Sequence, residues 1–283
     1  MKGKHVAITG ATAGIGRHTA LELAAQGAEL TLFFRNTDKG QSIQQDCLAI
    51  SGREPTLIPM DMANLASVRQ AGAEFLALQK PLDVLLNNAG LVNTSRRETV
   101  DGFEETLAVN HFAPFLLTGL LLPAIQEAPS ARIVNVASHA HTFVKSMGFE
   151  DMQAERSYKT FREYGRSKLA NILFTRSLAR RLDGQDITVN CLHPGAVSTS
   201  LGQNNPGLLT KVLPLLLKPF FRSPEQGAET SIYLCCSDDV AGVSGEYFSN
   251  CRPGKAKPWA KDDAAAEQLW QYSQTCTDFT YPV

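Results

Sequence analysis

Short apolar, β-branched runs recur along this chain, and stretches of helical periodicity separate them. The runs are HVAIT (5–9), LTLFF (30–34), PTLIPM (55–60), DVLLN (83–87), RIVNVAS (132–138), ITVNCL (187–192) and EYFSN (246–250). GRHTALELAAQG (16–27) and NLASVRQAGAEFLAL (64–78) are two of the helical stretches. A strand that is apolar at nearly every position has no solvent face, so it belongs in a sheet covered on both sides. Strands alternating with helices make right-handed βαβ units. The pattern predicts an α/β fold built on a doubly wound parallel sheet. No internal repeat, low-complexity tract or Pro/Gly/Ser-rich linker interrupts residues 1–283, so one domain is expected. In such sheets ligands bind beyond the carboxyl ends of the strands.

The first strand ends in TGATAGIG, residues 9–16. Gly10 permits a tight turn. Gly14 and Gly16 remove Cβ atoms where backbone must approach a pyrophosphate and a helix must approach the sheet. The helix that follows aims free N–H groups at those phosphates. The spacing is G-x-x-x-G-x-G, and glycines alone describe an ordinary turn equally well; the position between strand and amphipathic helix favours a dinucleotide. Strand two ends in LFFRN, with Arg35 where a carboxylate would hold a ribose 2′-hydroxyl. A guanidinium suits a 2′-phosphate by forked, charge-assisted bonds, which predicts NADP(H) over NAD(H). The bland alternative is a solvated arginine opening a loop. Asp61, after strand three, either accepts from an adenine amino group or caps the helix that starts in DMANLASV. NNAG (87–90), after strand four, is either a turn beside a ribose or a turn only.

Ser138 closes strand five, and YGRSK (164–168) lies in a helical stretch. The i, i+4 spacing puts Tyr164 and Lys168 on one helix face. A free phenol titrates near pH ~10, and a neighbouring cation lowers that by about 1–3 units. Together with the positive charge of an oxidised nicotinamide, the pair is expected to make Tyr164 a general acid or base, with Ser138 donating to the substrate oxygen. Most Tyr–Lys pairs at this spacing are merely solvated or packed along the lysine stem. Only their coincidence with the glycine loop favours chemistry.

TGATAGIG, NNAG, Asn110 in LAVNHF, Ser138 in NVASHAH, YGRSK and HPGAV occur in an order and spacing that resemble the short-chain dehydrogenase/reductase family. The resemblance covers nearly the whole chain. It implies a Rossmann-like fold with seven parallel strands, and a catalytic set of Asn110, Ser138, Tyr164 and Lys168. Tyr164 would exchange the proton with the substrate oxygen. Lys168 would lower the phenol pKa and hold the nicotinamide ribose, and Asn110 would position a water behind it. Thr12, Ala13, Ile15, Asn36, Met62, Ala89 and Gly90 would join Gly10, Gly14, Gly16, Arg35, Asp61 and Asn88 around the cofactor. Pro194, Gly195, Val197 and Thr199 would lie along the nicotinamide amide. The long stretch between Ser138 and Tyr164, SGEYFSNC and AEQLWQYS resemble the branch containing retinol dehydrogenases and the WW-domain oxidoreductase. The activity implied is NADP-dependent interconversion of an alcohol and an aldehyde or ketone. The rival class is a catalytically silent NADP-binding sensor; a sugar-nucleotide epimerase usually needs a longer chain.

A net charge of −1 carries no nucleic-acid footprint. MKGKHVAITG runs straight into a strand pattern without signal-peptide features, and no run approaches the ~20 apolar residues of a bilayer span. The six cysteines form no C-x-x-C, so reduced thiols and a cytoplasmic location are expected. His139 and His141 are expected to line the substrate entrance, and His111 and His193 to be packed. Two histidines without further ligands do not fill a zinc shell. Residues 200–223 are expected to form an apolar lid over the site, against the alternatives of core packing or contact with a lipid surface. The expected partners are a small apolar substrate and, by the resemblance, further copies of the chain.

Overall fold

A computed structural model describes residues 1–197 and 222–283. The strands are β1 (His5–Thr9), β2 (Glu29–Phe34), β3 (Thr56–Pro59), β4 (Val84–Asn87), β5 (Ala131–Val136), β6 (Ile187–His193), β7 (Tyr247–Ser249) and β8 (Arg252–Pro253). They form one sheet in the order β3-β2-β1-β4-β5-β6-β7-β8. β1 to β7 pair in parallel, as the pattern predicts. β8 is an addition, an antiparallel edge on β7. The chain reverses there because Asn250 and Cys251 both take left-handed backbone angles, with φ of 55° and 56°. Successive positive φ values are the geometry of a tight hairpin turn. Asn-Cys is not the usual residue pair for it, so nothing in the residue pattern signals the turn.

The described helices are α1 (Gly14–Ala25), α2 (Thr37–Ser51), α3 (Leu65–Leu76), α4 (Glu105–Gln126), α5 (Thr160–Arg181), α6 (Pro224–Cys236) and α7 (Asp263–Thr277). Strand side chains alternate between two apolar layers, as the pleat requires. Ala7, Leu85, Ile133 and Val189 enter the layer shared with α3, α4 and α5. Val6, Ile8, Leu86, Val134 and Leu192 enter the layer shared with α1, α2 and α6. Cys235 belongs to that second layer, packed as a small hydrophobe.

α4 differs from expectation. At 22 residues it is long and apolar enough to cross a bilayer, yet it is mostly buried. Its apolar surface meets the sheet on one side and a C-terminal aromatic cluster on another. Phe115 lies 5.2 Å from Trp270 and 4.8 Å from Tyr281 between ring centroids. Gly119 leaves room for Phe279, whose Cε1 would stand 2.2 Å from an added Cβ. α4 also contains a π-helical turn over Ala108–Phe112. Single π turns inside α-helices frequently mark functional sites.

The sheet order reverses between β1 and β4, since β1 leads to β2 on one side while β4 lies on the other. A crevice opens there beyond the carboxyl ends of the strands.

Candidate active site

One cavity of about 500 Å³ occupies that crevice. It is lined by Gly10, Thr12, Ala13, Gly14, Ile15, Gly16, Arg35, Asn36, Asp61, Met62, Asn88, Ala89, Gly90, Ser138, Tyr164, Lys168, Pro194, Gly195 and Val197. The structure thus brings the glycine loop and the Ser-Tyr-Lys set to one space. Thr199 and residues 200–221 of the expected lid lie outside the described residues. Within that lid range, Ser223 caps α6 and Arg222 pairs with Val197.

The glycine end is built from backbone. Gly10 has φ +69°, and a Cβ on it would lie 2.8 Å from Ala89 Cα. A Cβ on Gly16 would lie 2.3 Å from both Gly10 O and Asn88 Nδ2. Two strand ends are locked together here. The Thr9 hydroxyl accepts from the N–H groups of Asn88 and Ala89, each at 3.0 Å. Asn88 Nδ2 donates to Thr9 O at 2.9 Å and Gly10 O at 3.1 Å. Ala13 precedes α1 and offers no side-chain cap, so the first N–H groups of α1 remain for a ligand. A cradle that no Cβ could enter, facing an uncapped helix start, fits the pyrophosphate of a dinucleotide.

Asp61 is corrected in one respect. It does not cap α3; Asn64 does, accepting from Ala66 and Ser67. Asp61 instead accepts from Ala63 N at 3.0 Å in a local turn and lines the cavity. Arg35 stands on the rim, as does Lys39, which the sequence reading missed. Lys39 sits four positions on, in the first turn of α2, where Asn36 Oδ1 accepts from its backbone N–H. Among the described residues, neither cation is paired with a carboxylate.

The other end is built from side chains. Ser138 Oγ accepts from Ala140 N at 3.1 Å, which leaves the hydroxyl proton free to donate. Gly165 lets α5 press against this turn; a Cβ there would lie 2.7 Å from Ala140 O. The residue beside Tyr164 is therefore glycine for a packing reason. Lys168 is buried and donates from Nζ to Val136 O at 3.0 Å. Its Nζ lies 5.7 Å from the Tyr164 ring centroid. Asn110 does not line the cavity. It is fully buried inside the π turn, behind Gly90, accepting from Leu91 N at 2.8 Å and donating to Leu91 O and Ser167 Oγ. Ser167 in turn donates to Tyr164 O at 2.8 Å.

A family model for short chain dehydrogenases matches residues 4–207. The chain belongs to the short-chain dehydrogenase family. It is 44% identical over 287 residues to retinol dehydrogenase 14 of Mus musculus, covering 97% of this chain and 86% of that protein. Identity to human retinol dehydrogenase 12 is 39% over 274 residues, covering 96% and 86%. A solved structure of an uncharacterized protein from Mycobacterium paratuberculosis superposes with a TM-score of 0.79 at 30% identity, covering 100% of this chain and 96% of that chain. A Shigella flexneri short-chain dehydrogenase solved with NADP shares the fold, with a TM-score of 0.70 at 22% identity and coverage of 89% and 98%. The protein is accordingly an oxidoreductase acting on CH–OH groups with a nicotinamide cofactor.

The electrostatics of this short-chain dehydrogenase depart from the sequence reading. Burial pushes the Tyr164 phenol up to about 12, and a hydrogen bond with Ser138 opposes that rise. The expected lowering by Lys168 is not supplied by the chain alone. Lys168 directs its hydrogen bond to Val136 O, and its own burial pulls it down to about 8. His141 departs as well. It is buried beneath Ser138 and does not line the cavity, nor does His139, which is exposed. His111 is packed as expected, sharing a hydrogen bond of 2.8 Å with Ser273. His193 is packed too, and burial lowers it to about 4.

The sequence also gave no warning of Arg166, inside YGRSK. Its buried guanidinium donates to Met147 O, Gly148 O and Asp151 O at 2.6–2.8 Å and pairs with Glu163. That fork ties the long stretch between Ser138 and Tyr164 onto α5.

Proposed function

We propose that the protein is an NADP-dependent oxidoreductase that interconverts an apolar alcohol and its aldehyde or ketone. One observation carries this: Ser138, Tyr164 and Lys168 share the cavity into which the glycine cradle opens. Arg35 and Lys39 on the rim support NADP(H), since two cations with no carboxylate partner among the described residues suit a 2′-phosphate dianion. The retinol dehydrogenase relatives support a lipophilic, retinoid-like substrate.

NADPH would supply the hydride when bound. Tyr164 would give its hydroxyl proton to the carbonyl oxygen, and Ser138 would donate a second hydrogen bond to that oxygen. A phenol held near 12 keeps its proton at neutral pH, which suits carbonyl reduction. Lys168 is cationic below about 8 and loses that charge as pH rises through it. Reduction is therefore expected to weaken above pH 8. Asn110 would act from behind, through Leu91 and Ser167. The six free thiols support a reducing, cytoplasmic setting, and the continuous sheet supports one domain across 1–283.

The test is NADPH oxidation across a panel of lipophilic aldehydes and ketones that includes a retinoid aldehyde. Tyr164→Phe should remove turnover and leave the NADPH Kd nearly unchanged. General acid catalysis contributes typically about 10²–10⁴-fold, so the loss should fall in that range. NADPH binding without turnover across the panel, or full turnover in the Phe variant, would overturn the reading.

A further inference from the structure

His141 is gripped from four directions. Its Nδ1 lies 2.7 Å from Ser138 O. Its Nε2 lies 3.4 Å from Lys257 N, and its own carbonyl accepts from Trp259 Nε1 at 3.2 Å. The ring stands edge-on to Tyr247 at 5.3 Å. These bonds fix the tautomer. A carbonyl can only accept, so Nδ1 carries the proton; a backbone N–H can only donate, so Nε2 is bare. The ring is neutral, and its burial also favours that form.

The arrangement joins two distant parts of the chain. Lys257 and Trp259 belong to the segment after β8, and Ser138 follows β5. The Ser138 carbonyl receives both the His141 ring and the His141 backbone N–H, at 2.7 and 3.3 Å. Because Ser138 Oγ also accepts from Ala140 N, the serine is held through its main chain and its side chain by one short turn. Tightening or loosening that turn changes where the Ser138 hydroxyl points.

We propose that His141 is a positioning residue for Ser138, a neutral imidazole clip by which the 257–259 segment fixes the direction of the serine hydroxyl. His141 does not touch the cavity and carries no proton to substrate. This rests on the proposed role of Ser138, so the experiment separates the two.

His141→Phe keeps the ring packing and removes both ring hydrogen bonds. It should lower kcat about tenfold, the size expected for losing a buried bond that orients a donor, with KM and NADPH Kd within about twofold. His141→Asn restores a donor near the Nδ1 position and should recover most of that loss. Trp259→Phe, which removes only the indole bond, should lower kcat about threefold. In the Ser138→Ala background, His141→Phe should add nothing further, because groups acting as a unit are not additive. A structural role alone would multiply the two effects and lower the folded population in both backgrounds. If His141→Phe fails to fold, Trp259→Phe carries the test, alone and in the Ser138→Ala background. Unchanged kcat in His141→Phe and Trp259→Phe beside an impaired Ser138→Ala overturns the clip and leaves the proposed function standing. Full turnover in Ser138→Ala overturns the role of the serine, and the clip with it.

Discussion

At the β1–β4 end of the cavity the walls are backbone; at the β5–α5 end they are side chains held by other side chains. Gly10, Gly16 and Gly90 define the first end by what they lack, and the Thr9–Asn88 bonds lock it. Ser138, Tyr164 and Lys168 define the second, with Asn110 buried behind Gly90, and His141, Ser167 and Arg166 hold their elements in place. A backbone cradle is insensitive to protonation and intolerant of volume. A side-chain constellation tolerates small volume changes and depends on which atoms carry protons. The same cavity should therefore fail in two different ways.

The largest effect on cofactor binding is expected from volume at the glycine end. Gly16→Val places its Cβ within 2.3 Å of a backbone carbonyl, Gly10 O, which cannot swing away as a flexible side chain can. Overpacking of this kind costs about 1–3 kcal/mol, and 1.4 kcal/mol is tenfold in affinity. Two such methyl groups added beyond Cβ should weaken NADPH binding by about a hundredfold in a fluorescence titration. An unchanged Kd would mean that the cradle is not where the dinucleotide lies.

The next effect is expected from acid, and it falls on the other end. Burial lowers His111 to about 3 and His193 to about 4, and lowers His141 as well. An imidazole whose folded pKa lies below its unfolded value of 6.5 contributes stability in full above pH 6.5. That contribution is lost as pH falls, because the unfolded chain binds protons the folded chain refuses. For His111 alone the loss by pH 5 is about 2 kcal/mol. Thermal unfolding should show a falling midpoint from pH 6.5 to 4. His111→Gln, a neutral residue that can still bond Ser273, should flatten the slope. A wild-type midpoint constant over that range would contradict the burial of these rings as neutral groups.

How much of this was legible depends on whether the signal is local. The strands were readable because double-sided burial leaves one-letter evidence at every position. The parallel order followed from the helices between them. The place of Gly10, Gly16 and Arg35 on the cavity was readable because each follows directly after a strand. Lys39 was missed although a cation one helical turn beyond Arg35 is a local pattern. His141, Arg166 and Ser167 were not readable at all. Each acts on a backbone carbonyl or on a segment remote in sequence, and such partners leave no mark in composition or spacing. At Tyr164 spacing reports the nearby cation but not the burial, which in the chain alone sets the direction of the phenol pKa.

A smaller effect, about tenfold, is expected at the rim between cradle and solvent. Arg35→Ala and Lys39→Ala should each lower the NADPH-over-NADH ratio of kcat/KM by about that factor, since a hydrogen bond to a charged group is worth about 1.5–3 kcal/mol before solvent screening. Both should lose effect in high salt. A ratio unmoved by either variant would return the two cations to ordinary surface.

The smallest effect tests whether the catalytic end extends through α4 to the C-terminal cap. Tyr281 is buried and donates from its hydroxyl to Phe115 O, one turn beyond the π turn that holds Asn110. Tyr281→Phe keeps the ring against Phe115, Trp270 and Phe279 and removes only that bond. A single neutral hydrogen bond is worth about 1 kcal/mol net, which in a chain of this length shifts the midpoint by about 2–4 °C. Turnover should stay within about twofold, because Asn110 is held locally by Leu91 and Ser167 rather than by the cap. If kcat fell tenfold while the midpoint barely moved, the side-chain network would reach the far end of α4. The contrast between a local cradle and a local catalytic cluster would then have to be redrawn.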